Sequence, residues 1–91
     1  MFDYNLSDEL KAVVQKLNKR DRERSLILAK KIQEIISNNT ESIDRYKNLR
    51  YDMKNYKRVH IDKSFVLVFR VFKEKNFILF DRMMHHDDIY K

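Results

Sequence analysis

The sequence predicts an α+β fold: a two-layer sandwich in which an N-terminal strand and an α-helical hairpin pack on a mostly antiparallel β-sheet. Three observations predict it. Two consecutive segments of the first half carry apolar residues at helical spacing. From Tyr56 the apolar period changes from about four to two. The run Phe65–Phe72, FVLVFRVF, is apolar on both faces, as a strand in the middle of a sheet must be.

Each element has its own signal. In Met1–Leu6, Phe2, Tyr4 and Leu6 alternate with Asp3 and Asn5, a short strand pattern. Ser7 then suits a helix N-cap, with Asp8 and Glu9 in the first turn, where the helix dipole favours negative charge. Leu10, Val13, Val14 and Leu17 form the apolar stripe of that helix. Asp21 caps a second helix, whose stripe is Leu28, Ile32, Ile35 and Ile36, and which ends near Asn38-Asn39 because asparagine tolerates a left-handed backbone. Residues 40–55 pattern poorly, apart from a short helical turn around Ser42–Tyr46. Next, Val59 and Ile61 face one way while Tyr56, Arg58 and His60 face the other. Asp62-Lys63-Ser64 turns the chain into Phe65–Phe72, and Lys73–Asn76 turns it again without a glycine. The last strand, Asn76–Met83, is expected to point Phe77 and Leu79 one way and Ile78, Phe80 and Arg82 the other. No repeat or linker interrupts the pattern, so residues 1–91 read as a single domain.

With no cysteine, thiolate metal sites, disulfides and cysteine nucleophiles are excluded. No apolar run reaches the roughly 20 residues of a membrane span, and the N-terminus lacks a signal-peptide pattern, so a cytoplasmic protein without a membrane partner is expected. The net charge of +6 is uneven. Residues 1–44 carry eight Lys/Arg and eight Asp/Glu, whereas residues 45–91 carry twelve and six. A basic half that also holds aromatics suits an anionic partner, with a phosphate backbone the commonest.

The chemistry-bearing residues gather near the carboxyl end. If Val59 and Ile61 meet the helices, Arg58 and His60 lie on the open face of the sheet. Arg82, at the end of the last strand, and His86, four residues on, can converge there, and Tyr90 follows at the same spacing. Arginine offers a permanent charge and a fork of donors for phosphate. Histidine moves a proton near neutral pH, and tyrosine stacks on a base or donates a hydrogen bond. Together they suit metal-independent RNA cleavage, in which the RNA supplies its own 2′-hydroxyl nucleophile. The neighbouring pair His85-His86 points its rings apart, unlike a metal pair three or four residues apart on a helix, so no metal or other cofactor is expected.

The stretch from Leu49 to Lys91 resembles the C-terminal half of the RelE/ParE toxin superfamily and is most similar to its YafQ-like branch. The motifs that carry the resemblance are YKRVHI, a turn, FVLVFRV, and an ending of the form HHDxIY. The preceding strand and helical hairpin match in order and length. The resemblance implies a RelE-like fold and a type II toxin. It further implies a metal-independent, ribosome-dependent endoribonuclease that cuts messenger RNA and is held inactive by a cognate antitoxin. Arg82 falls on the family's phosphate-stabilising arginine, His86 and His60 on proton-transfer histidines, and Tyr90 on the terminal aromatic position. Lys47, Lys54, Lys57 and Arg58 become RNA- or ribosome-contacting cations, and Phe65 stands where the branch carries a tryptophan. Ser64 stands where it has a catalytic aspartate, a departure that leaves the role of Asp62 open.

The alternative is a non-catalytic interaction protein of the same fold, either a ParE-like gyrase inhibitor or an inactive toxin that only binds its antitoxin. A positive sheet face that grips RNA without cutting it is a third reading. The histidine–arginine–tyrosine set, which a binder does not require, favours cleavage.

Overall fold

The structure is a computed structural model that describes residues 1–50 and 55–89. The elements in chain order are β1 (Asp3–Leu6), α1 (Asp8–Arg20), α2 (Arg22–Ile36), β2 (Lys47–Asn48), β3 (Tyr56–His60), β4 (Phe65–Phe72), β5 (Phe77–His85) and α3 (His86–Ile89). The strands form one sheet in the order β1-β5-β4-β3-β2. All pairings are antiparallel except β1 with β5, which is parallel. This is the predicted α+β sandwich, with β4 in its centre.

Both helix starts follow the capping residues. The Ser7 hydroxyl accepts the Leu10 N–H at 3.1 Å, and the Asp21 carboxylate accepts the Arg24 N–H at 3.1 Å. The helices cover one face of the sheet. Leu10, Leu28, Ile35 and Ile43 meet Leu67, Phe69, Ile78 and Phe80 there, all fully buried. The rings of Phe69 and Phe80 lie 5.8 Å apart, and burying each contributes about 1.5–3 kcal/mol.

Four details depart from the expected pattern. The strand at the amino end begins at Asp3, while Phe2 is buried in the core. The end of α2 uses no left-handed asparagine. Instead the Asn38 side-chain amide donates to the carbonyls of Glu34 and Ile35 at 3.1 and 2.9 Å, satisfying groups the helix end leaves open. The left-handed residue is Asn76, φ 51° and ψ 46°, which makes the glycine-free turn into β5. Finally, β2 is a two-residue strand in the segment that patterned poorly, preceded by the single turn Ser42–Arg45.

The consequential departure lies in β5. Strict alternation would send Arg82 to the helix-covered face with Ile78 and Phe80. The register shifts between Val68 and Phe69, however, so that Val68 pairs with Arg82 and Phe69 with Phe80. Asp81 is the extra residue of this β-bulge. From Arg82 onward the faces are exchanged, and Arg82 emerges on the open face.

Candidate active site on the open face of the sheet

The open face is a ladder of three rungs across β3, β4 and β5. Register aligns Tyr56–Arg70–Leu79, then Arg58–Val68–Arg82, then His60–Val66–Met84. The valines of β4 are fully buried even though they point away from the helices, because Leu49, Tyr56 and Met84 lean over them. The face, called the trough below, is therefore an apolar strip closed over by Leu49, Tyr56 and Met84 and bordered by cationic, aromatic and imidazole side chains. Lys47 pairs with Arg58 in register and extends the second rung onto β2.

His60 and His86 meet at the end of the trough. Their rings stack with centroids 5.6 Å apart and planes 26° apart. The backbone N–H of His86 donates to the Ser64 carbonyl at 2.7 Å, which carries the β4–β5 ladder one step beyond the last strand residue. Since β5 continues through Met84 to His85, Arg82 and His86 share a face by strand alternation. They are not one turn apart on a helix. Arg82 is half-exposed, and its Nε lies 3.2 Å from the Asp81 carboxylate. The bulge that presents it is pinned from the other layer: the Ser7 N–H donates to Phe80 O at 2.9 Å, and the Ser7 hydroxyl donates to Asp81 O.

Arg82, His60, His86, Arg58 and Lys47 thus belong to one face. Two of the expected RNA contacts do not. Lys57 is buried on the covered face, where its ammonium donates to Tyr46 O and Asn48 Oδ1 at 3.2 Å each and lies 3.5 Å from Asp44. The alternation that sends Val59 and Ile61 inward sends Lys57 with them. Phe65 also faces the helix side and packs on the main core. The Arg24 guanidinium lies 4.5 Å from its ring centroid, and the His85 ring meets it edge-on at 5.5 Å. Its position is that of a wall behind the site. Tyr90 and Lys54 lie outside the described residues.

No family model matches the chain. The candidate toxin RelE4 of Methanocaldococcus jannaschii is 43% identical over 91 residues, covering 100% of this chain and 93% of that one. The chain belongs to the RelE family of toxins. An uncharacterised protein of Methanosarcina mazei is 39% identical over 90 residues, 99% of this chain and 100% of that protein. Among solved structures, YafQ from E. coli superposes with a TM-score of 0.68 at 17% identity, both chains covered in full. The E. coli DinJ–YafQ complex gives 0.73 at 17% identity, again with both chains covered in full. A metal-bound toxin from Helicobacter pylori gives 0.73 at 18% identity, covering 97% of this chain and 98% of that one. At these identities the structures share the RelE-like fold.

In this RelE-type chain Asp62 serves as a brace. Its Oδ1 accepts the N–H groups of Ser64 and Phe65 at 2.7 and 3.2 Å, and its Oδ2 pairs with Arg24 Nε at 3.0 Å. The Ser64 N–H, followed by the Arg24 guanidinium, holds the Asp62 carboxyl below the ordinary aspartate range. Asp62 thereby ties the turn that presents His60, Ser64 and the His86 amide to the start of α2. Sequence reasoning missed Arg24 in this role, since its partner lies 38 residues away. His85 and His86 both lie near Asp87, at 3.6 and 3.8 Å. Among the described residues, no three His, Asp or Glu side chains gather as a metal site, and no helix is long and apolar enough to cross a membrane.

Proposed function

We propose that the protein is the toxin of a type II toxin–antitoxin pair and acts as an endoribonuclease on translated messenger RNA. The observation that carries this reading is the stacked His60–His86 pair beside Arg58 and Arg82 on one face. One imidazole takes the proton of the 2′-hydroxyl, whose oxygen attacks the adjacent phosphorus. Arg82, supported by Arg58, balances the charge that builds on the equatorial oxygens. The other imidazole returns a proton to the departing 5′-oxygen. The products are a 2′,3′-cyclic phosphate and a 5′-hydroxyl. Tyr90 completes the set in this proposal, and the ribosome positions the message. A cognate antitoxin with an acidic segment neutralises Arg58 and Arg82.

The test is purified protein in a translation reaction, with the ends of the message mapped. Wild type halts synthesis and leaves 2′,3′-cyclic phosphates, while His86→Ala loses about 10²–10⁴-fold in rate. Equal inhibition by wild type and His86→Ala refutes the proton-transfer role. One observation favours the second reading, a toxin-fold protein that only binds its antitoxin: Ser64 replaces the expected aspartate, and Asp62 is committed to the turn. Antitoxin binding with intact message would select it.

A further inference from the structure

The first rung of the trough has no part in the cleavage chemistry proposed above, yet it is built as a binding site. Arg70 crosses between two rings. Its guanidinium carbon lies 5.3 Å from the Tyr56 ring centroid and 4.6 Å from that of Phe72. Contacts of this kind hold the planar fork in one orientation without consuming its donors. Arg24, Arg45, Lys57 and Lys73 each pair with a carboxylate. Arg70 makes no ion pair among the described residues, and its Nε is buried without a hydrogen-bond partner there. A cation oriented by rings, with no carboxylate against it among the described residues, is poised for an anion from outside.

Its position indicates which anion. Side chains two residues apart on one strand face are about 7 Å apart. Arg70 therefore sits one such step from the Arg58–Arg82 rung, away from the histidines. One step of this length matches one nucleotide of an extended single strand. We propose that Arg70, with Tyr56, forms a second nucleotide subsite that holds the RNA residue next to the cleaved phosphate. The guanidinium takes that residue's phosphate, and the exposed part of the Tyr56 ring takes its base. Phe72 supports Arg70 from the far side. The inference rests on the endoribonuclease reading for its ligand and can fail separately from it.

The probes are 2′-O-methyl oligoadenylates of two and four nucleotides, which cannot undergo 2′-hydroxyl attack. Wild type binds the tetranucleotide more tightly than the dinucleotide. Arg70→Gln and Tyr56→Leu each weaken the tetranucleotide by roughly five- to 150-fold, and Arg70→Gln leaves the dinucleotide, which carries a single phosphate, unchanged. Arg70→Gln also lowers the salt dependence of tetranucleotide binding by about 0.7 in log–log slope, one phosphate contact on a single strand. Arg70→Lys, which keeps the charge and loses the stacked plane, retains the slope. Circular dichroism and thermal melts confirm that each variant is folded. The subsite is overturned if Arg70→Gln binds the tetranucleotide with wild-type affinity and slope, or if wild type binds neither oligonucleotide. Arg70-dependent binding by a protein that leaves message intact keeps the subsite and ends the nuclease reading.

Discussion

Replacing Asp62 removes the brace beneath the histidines. Asp62→Ala deletes two hydrogen bonds to backbone N–H groups and a half-buried ion pair. Each hydrogen bond contributes about 0.5–1.5 kcal/mol net, and an ion pair of this exposure about 0.2–1 kcal/mol. The total is about 1–4 kcal/mol, which lowers Tm by about 5–30 °C in a domain of this size. Asp62→Asn keeps an oxygen for the two N–H groups and loses the charge, so its Tm falls by about 4–8 °C. The pH dependence has a defined sign. The folded carboxyl titrates below the ordinary aspartate value of about 3.9, so its contribution is present above that value. It is lost as the pH falls through the folded value. The gap between wild type and Asp62→Ala is therefore constant at neutral pH and closes on acidification below about 4. Thermal melts by circular dichroism at pH 7 and pH 3 measure it. Amide exchange at His86, whose N–H is held by Ser64 O, reports whether the loosened turn reaches the site. A variant that melts with wild type at pH 7, or a gap that widens in acid, refutes the reasoning.

Ser7→Ala removes both the α1 cap and the hydroxyl that holds Asp81 O. It is expected to cost about 1–2 kcal/mol by denaturant unfolding and to speed amide exchange in the first turn of α1. Lys57→Met fills the same buried space without the ammonium. It is expected to lower stability by about 1–3 kcal/mol because Tyr46 O and Asn48 lose a donor, with no change in the salt dependence of the RNA binding proposed above.

Much of this was legible along the chain because the signals are local. Ser7 and Asp21 are side chains that cap the helix immediately following them, and FVLVFRVF needs no partner to read as a central strand. The open face of β3 was equally readable, since alternation from Val59 and Ile61 assigns Arg58 and His60 at once. What failed depended on partners. A two-residue strand such as β2 has no period and exists only because β3 offers it an edge. The bulge at Asp81 is a disagreement in length between β4 and β5, visible only when the two are laid side by side. Lys57 is a different case: the resemblance made it an RNA contact, while the alternation that sends Val59 and Ile61 inward buries it. The Asp62 brace and the Arg70 rung each join residues far apart in sequence, and no spacing rule connects them.

The valine strip sets a size limit. Val66 and Val68 lie on the middle strand of three, so the walls that carry Arg58 and Arg82 rise from backbones only about 10 Å apart. That spacing suits two contacts to one sugar–phosphate chain laid over Leu49, Tyr56 and Met84, and is far short of a double helix. On the endoribonuclease reading proposed above, base-paired stretches of a transcript would ride above the imidazoles, out of reach, and hairpin stems would survive.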